Sequence, residues 1–310
     1  MNLLFKYSPI IKTFFNKPTI KLSVPTFLND PFENMPSEDI KDISNEITRS
    51  VYGYRDLPKI VFDSMYSDVV TELLNKVGIV SLTETPRNLL MWAHYANNHN
   101  GMVVGFEPEI FSHLKITARD RNVTLPVIDK PIKIKYDNTR FDEDNLDRGV
   151  LQPHERRRDL IVNVLTRKSD DWIYEKEHRA ILPLRYADDV RLNIKDGYEI
   201  EDEILKLVDD RMISLGPEVK THKGENYREI SYEANHPKFD LISKLSLNRN
   251  ISFLVSIPPE KVKCIYLGCR VKDDEYHHIL DLINSKDSNL NHVAVFRYKI
   301  NPTHFSLDRY

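Results

Sequence analysis

Between Ile79 and Phe106 the chain packs two strand-like apolar runs and one helix into a very short span. Ile79-Val80-Ser81-Leu82 reads as a strand, Asn88 to His99 as a helix, and Met102 to Phe106 as a second strand. Pro86 sits where a helix can start, and Gly101 where one ends. A helix this short between two strands must cross one face of a sheet. Similar alternation recurs along the chain, so strands and helices are interspersed rather than segregated. The expected fold class is therefore α+β, a mixed or antiparallel sheet core with interspersed helices.

Other elements follow from periodicity. Leu3–Tyr7 is a candidate opening strand, and Ile20–Val24 shows weak alternation before Pro25. Ile60 to Val77 repeats apolar residues at helical spacing and is stopped by Gly78. Met35 to Arg55 is polar and gives little periodic signal. Ile132 to Tyr136 alternates as a half-solvated strand should. Arg156 to Lys168 predicts a helix with Leu160, Ile161, Val164 and Leu165 as its stripe, and Ala180 to Leu184 a strand. Arg140–Arg148 reads as a charged loop, Glu199–Leu215 as partly helical, and His222–Phe239 has no firm placement. Near the end, Ile251–Ile257, Val262–Leu267 and His292–Tyr298 are strands, and Asp274–Asn284 is a helix. No linker or repeat is visible, which favours one domain over 1–310, with 188–250 either an insertion or part of the core.

Composition excludes several classes. A chain of 310 residues can bury a large core without disulfides or metal clips. The net charge of -3 gives no overall attraction to nucleic acid or anionic lipid, although a local basic groove is compatible with it. Nine glycines, with no GxGxxG run and no glycine-rich loop ending in Gly-Lys-Ser/Thr, remove the usual phosphate loops and a doubly wound dinucleotide fold. Cys264 and Cys269 read as strand-associated thiols rather than a disulfide, which suits a reducing cytoplasm. Lys6 and Lys12 interrupt the apolar N-terminus, so a secretory leader is not expected, and no run approaches the roughly 18 apolar residues of a membrane span.

Three clusters can carry chemistry. In the Asn88–His99 helix, Leu89, Ala93 and Ala96 share the face expected to bury, and Leu90, His94 and Asn98 share another. His94 is either a satisfied, partly buried histidine or part of a pocket wall. Its spacing to His99 is wrong for a helical metal pair, so no metal site is expected. In Trp172–Arg179, strand alternation puts Glu175, Glu177 and Arg179 on one face. That face is a surface ladder, a buried Arg179–Glu175 pair, or a carboxylate site with Arg179 as a bidentate clamp. Lys6-Tyr7 with the Asn29-Asp30 turn forms the third cluster, in which Tyr7 could stack on a planar ring. The basic run Arg156-Arg157-Arg158 is a solvated face or a phosphate-meeting rim.

LFKY at Leu4–Tyr7, TFLNDPFE at Thr26–Glu33, SLTE at Ser81–Glu84, LMWAHYANNHNGMVVGFE at Leu90–Glu107 and WIYEKEHR at Trp172–Arg179 occur in this order. With IPPEKVKCIYLG at Ile257–Gly268, they resemble the bacterial domain-of-unknown-function family numbered 2971. The opening layout is similar to that of ADP-ribosyltransferase-like toxins. This similarity implies an NAD-consuming transferase, with NAD as substrate, in which Tyr7 is the nicotinamide-side aromatic and Glu177 the catalytic glutamate. Ser23, in competition with Ser81, and Asn29 would form the second element; Lys6 would lie near the pyrophosphate, with His94 and Arg179 as supporting residues. Lys6 stands where a histidine or arginine usually precedes the aromatic. The same resemblance implies a toxin or anti-phage effector, a nucleic-acid or protein acceptor, and an antitoxin or other regulatory partner. Two other readings remain open at this level. One is a non-catalytic ligand sensor or nucleic-acid-binding module; the other is a metal-dependent nuclease built on Asp30, Glu33, Glu175 and Glu177.

Overall fold

A computed structural model describes residues 3–53, 58, 61–62, 69–117, 124–140, 152–194, 198–220, 226–232 and 238–310. Its architecture is α+β, built on two large sheets, with β6 (Lys135–Tyr136) and β7 (Arg167–Lys168) pairing in parallel as a small third one. The larger sheet contains β1 (Leu4–Ser8), β3 (Val77–Thr83), β4 (Met102–Phe106), β5 (Ile128–Lys133), β8 (Glu177–Pro183), β13 (Val262–Leu267), β14 (Ala294–Ile300) and β15 (Leu307–Arg309). Their order is β15-β14-β13-β4-β1-β3-β8-β5. All neighbours are antiparallel except β13 and β14, which are joined by α8 (Asp273–Asn284) as a parallel crossover requires. The second sheet is antiparallel throughout. It comprises β2 (Thr19–Leu22), β9 (Asp189–Ile194), β10 (Ile213–Leu215), β11 (Asn226–Tyr232) and β12 (Ile251–Ser256), in the order β10-β11-β9-β12-β2.

Alternation along the strands divides the apolar residues between two layers. Val80, Leu82, Val104, Ala180 and Leu182 of the larger sheet join Leu22, Leu192, Phe253 and Val255 of the smaller one in the main core. Val190, Leu192 and Ile230 place the stretch 188–250 in that same core, together with Ile204 and Leu207 of α6 (Asp202–Asp209) and Leu241 of α7 (Lys238–Ser246). The opposite face of the larger sheet carries two separate apolar patches. One joins Val77, Ile79 and Ile181 to α2 (Glu38–Tyr52), α3 (Val69–Leu74) and α5 (Pro153–Leu165). The other gathers Phe5, Tyr7, Val103, Tyr266 and Tyr298 around Trp92 of α4 (Leu89–Tyr95).

Strand β3 is shared between the sheets. It pairs with β8 along its whole length, from Val77↔Pro183 to Thr83↔Glu177. On its other edge, Phe5 of β1 pairs with Thr83, whereas Ser23, just after β2, pairs with Ile79 through bonds of 2.9 and 2.8 Å. β1 instead pairs with β4 over all five of its residues. The two sheets therefore fork away from β3, leaving a gap beside Ser81.

Some elements differ from sequence expectation. The polar stretch after Met35 contains α2, a helix whose buried face is Ile40, Ser44, Ile47 and Thr48. Two of those four residues are polar, so the apolar period is diluted. Ser37 caps the helix by accepting from Ile40 N, and the Thr48 hydroxyl donates to Ser44 O at 2.9 Å. Gly78 does not stop a helix but lies inside β3. A Cβ there would sit 2.4 Å from Leu22 Cβ, so the close approach of β2 to β3 demands glycine. The helix expected over Ile60–Val77 is present as α3, and residues 60 and 63–68 lie outside the described residues, as does 141–148 of the expected charged loop. α5 starts earlier than expected, at Pro153, because Gln152 and Glu155 form a reciprocal cap. Cys264 and Cys269 are free thiols. Among the described residues, no helix is long and apolar enough to cross a membrane.

Candidate functional site

The helix α4 is pinned at both ends. Asn88 accepts from Leu90 N and Met91 N and donates from Nδ2 to Tyr174 O at 2.6 Å. The Trp92 indole donates to Pro86 O at 2.8 Å. After Tyr95 the helix does not run on to His99 as expected. Asn97, Asn98 and His99 instead adopt φ of 47°, 52° and 68°. Three consecutive left-handed non-glycine residues are costly, on the order of 1–3 kcal/mol each. His99 N bonds Trp92 O at 3.1 Å and Arg270 N bonds His99 O at 3.1 Å. A Cβ on Gly268 would come within 2.0 Å of His99 O, so glycine there lets the strand end close on this turn. The buried face of α4 is Met91, Trp92 and Ala96; Leu89 and Leu90, at 39% and 51% exposure, face outward. The buried face is therefore rotated from the one read in the sequence.

On β8 the apolar layer gives way to charge. Ile181 belongs to the patch under α2 and α5, and alternation then turns Arg179 and Glu177 to the same side. Of the three readings of this face, the surface ladder is overturned: Glu175, Glu177 and Arg179 are all buried, Arg179 completely. Arg179 grips Glu177 with two bonds, Nε to Oε1 at 2.7 Å and Nη2 to Oε2 at 3.0 Å. It also reaches Glu33 at 2.7 Å and donates to Leu165 O at 2.8 Å. Lys168, in the two-residue strand β7 (Arg167–Lys168), contacts Glu175 at 2.7 Å, Glu33 at 3.3 Å and Glu177 at 3.4 Å. Arg179 therefore pairs with Glu177 and Glu33, not with Glu175. Glu175 lies outside the strand, in a 3-10 turn at Asp170–Glu175, and enters the cluster because Lys176 turns the chain at φ 45°.

Three carboxylates thus share two strong cations. Burial alone would raise Glu177, but Arg179 and Lys168 override it and hold the carboxyl at about 2. Burial raises Glu33 above the usual carboxylate range, and Arg179 and Lys168 only partly offset it. Burial works against charge on Lys168 and Arg179 too, yet the surrounding carboxylates raise both.

A cavity of about 230 Å³ opens beside this cluster, at the fork between the sheets. Phe5, Lys6 and Tyr7 come to it from β1, Ser81 and Leu82 from β3, and Met91 and Tyr95 from α4. Ser23 and Phe27 to Asn29 close one side, and Glu33, Lys168, Glu175 and Glu177 form the charged wall. The Tyr95 hydroxyl donates to Glu175 Oε1 at 2.6 Å and also bonds Asn29. The Ser81 hydroxyl bonds the Glu177 carboxylate. Lys6 Nζ reaches across the gap to Ser81 O at 3.0 Å. Burial lowers its ammonium to about 8, although the charges of Glu177 and Glu175 act to raise it.

Of the residues singled out from the sequence, Lys6, Tyr7, Ser23, Asn29 and Glu177 line this one cavity, and Arg179 stands behind Glu177. Tyr7 is only 5% exposed. Its hydroxyl donates to Thr85 O and accepts from Asn88 N, and its ring meets Trp92 edge-on at 5.3 Å. It is thus a wall of the cavity rather than an open stacking face, and Phe27 and Tyr95 offer more accessible rings. His94 departs from expectation: it is exposed on α4 and does not line the cavity. The basic run does not line it either; Arg157 donates to Thr48 on α2. Asp30 accepts from Phe32 N at 2.9 Å and serves the turn that delivers Glu33. Glu33 and Tyr95 received no transferase role from the sequence, and Lys168 no role of any kind. No local pattern marks a lysine in a two-residue strand as the centre of a charge cluster.

The sequence profile of a family described as protein of unknown function (DUF2971) matches residues 91–180. That segment runs from Met91 to Ala180 and contains Tyr95, Lys168, Glu175, Glu177 and Arg179, the α4 and charged walls of the cavity. The β1 wall and the Ser23–Glu33 segment fall outside it. No curated protein and no solved structure matches the chain.

Proposed function

We propose that the fork cavity is the active site of an ADP-ribosyltransferase-like enzyme that takes NAD as substrate and passes its ADP-ribosyl group to a nucleic acid or protein. The observation that carries this reading is the convergence of Tyr7, Ser23, Asn29 and Glu177, from three distant segments, on one cavity beside an ionised carboxylate. Breaking the nicotinamide glycosidic bond develops positive charge on the ribose, which a fixed carboxylate stabilises without reorganising. Glu177 is such a group, because Arg179 and Ser81 hold it in place and ionised. The cavity suits the nicotinamide-ribose end, against Phe27, Met91 and Tyr95, with the phosphates leading outward past Lys6. A toxin or defence effector restrained by a partner is the accompanying proposal. A metal-dependent nuclease is less favoured, because Lys168 and Arg179 occupy the space among the carboxylates that a metal would need.

The test is nicotinamide release from NAD by the purified chain, supplied with RNA, DNA or cell lysate as acceptor. Release by wild type, lost in a folded Glu177→Gln and reduced in Tyr95→Phe, supports the transferase. No release with any acceptor, together with no NAD binding by calorimetry, overturns it.

A further inference from the structure

The cavity contains two lysines in opposite states. Lys168 touches three carboxylates within 3.4 Å. Lys6 shares the same cavity, yet among the described residues no carboxylate lies within ion-pairing distance of its Nζ. Among the described residues its Nζ bonds the carbonyl of Ser81, which spans the gap where β1 and β3 part. The charged groups that act on it are Glu177 and Arg179 from β8, Glu175 from the preceding turn and Lys21 from β2. Burial is the dominant effect and favours a neutral amine; Glu177 and Glu175 oppose it, and Lys21 and Arg179 add to it more weakly. Desolvation of the amine is one condition under which a lysine becomes a nucleophile.

We propose that Lys6 binds a small sugar-type aldehyde covalently in the fork cavity, as an imine. The neutral amine adds to the carbonyl carbon, and the carbonyl oxygen takes up a proton to give a carbinolamine. That intermediate loses water as the nitrogen gives up its proton, so amine plus aldehyde yields imine plus one water. The hydroxyls of such a ligand would meet Tyr95, Glu175 and Asn29, which already exchange hydrogen bonds in the cavity. This activity goes beyond the transferase reading and does not depend on it.

The experiment incubates the purified full chain with D-glyceraldehyde and cyanoborohydride at pH 8, then maps every lysine by peptide mass spectrometry. Lys6 is expected to be trapped roughly tenfold faster than exposed Lys135, with a rate that saturates as the aldehyde is raised. Propanal, which has no hydroxyls, should trap Lys6 more slowly at equal concentration. In Lys6→Arg the fast site should vanish while labelling of the other lysines is unchanged. Three results overturn the proposal: Lys6 reacting no faster than Lys135, a rate linear in aldehyde, or propanal matching glyceraldehyde. All three are read on the wild-type chain, so a misfolded variant does not blur them, and none involves NAD.

Discussion

The two walls of the fork cavity solve the same problem in opposite ways. On the β8 side, Glu33, Glu175, Glu177, Lys168 and Arg179 are almost sealed from solvent and bound to one another. On the β1 side, Lys6 lies in the gap, where among the described residues its Nζ bonds one backbone carbonyl. Burying an ion is strongly unfavourable unless its partners are well placed, and then deleting one partner is worse than never having the pair. The charged wall is thus committed to holding Glu177 in one geometry. The lysine of the other wall costs stability for as long as it stays charged, and groups of that kind recur at functional sites.

The sharpest way to break this contrast is to delete cations from the two walls. Arg179→Ala should lose about 3–5 kcal/mol in urea unfolding, because it strands Glu177 and Glu33 in the interior. A loss below about 1 kcal/mol would sink the view that this wall is a structural unit. Acid should attack the same wall. The folded Glu177 carboxyl sits at about 2, below its unfolded value, so its stabilisation is present above about pH 4.5 and is lost as pH falls toward 2. Taken alone, that is worth roughly 3 kcal/mol. Glu33, raised by burial, holds its proton more tightly folded than unfolded and subtracts from the loss. Thermal melts between pH 6 and pH 2.5 read the net slope.

Asn88→Ala removes a helix cap and the tether to Tyr174, and should cost about 1–2 kcal/mol while loosening Tyr95. The smallest effect should carry the opposite sign. Lys6→Met should raise stability at pH 7 by about 1 kcal/mol, since it removes a charge that the folded chain disfavours. The folded Lys6 value of about 8 lies below the unfolded value of 10.5, so the gain is full below pH 8, fades as pH rises from 8, and is lost by about pH 10.5. Paired denaturation curves at pH 7 and pH 10 check both sign and fade. A Lys6→Met chain less stable than wild type at pH 7 would mean that the two walls are alike.

Where one element dictates its own periodicity, the sequence is enough. Met102–Phe106 and Val262–Leu267 emerge as strands with the bounds read from their apolar runs. Alternation likewise turns Glu177 and Arg179 to one face. It misleads at Glu175, whose position depends on a left-handed turn at Lys176 that no pattern announces. α2 hides because Ser44 and Thr48 occupy its buried face, and the bonds that satisfy the Thr48 hydroxyl, to Ser44 O and from Arg157, exist only once the helix has formed and packed. The fork itself is a matter of register between distant segments, Ser23 with Ile79 and Phe5 with Thr83. Nothing local in either segment encodes that choice. Lys168 is illegible for the same reason: its three partners come from two other places in the chain.

The sharing of β3 between two sheets also sets a clock. Its one edge needs residues near the N-terminus, and its other edge needs β8, about a hundred residues later. Pairings of such long range form late, after loop closure has been overcome. A chain still emerging from the ribosome can close the Ser23 and Phe5 side of the fork while Lys168, Glu175, Glu177 and Arg179 are not yet made. Until those residues arrive the nascent polypeptide holds half a cavity whose charged wall is Glu33 alone, so whatever this site does is withheld until more than half of the protein has been synthesised.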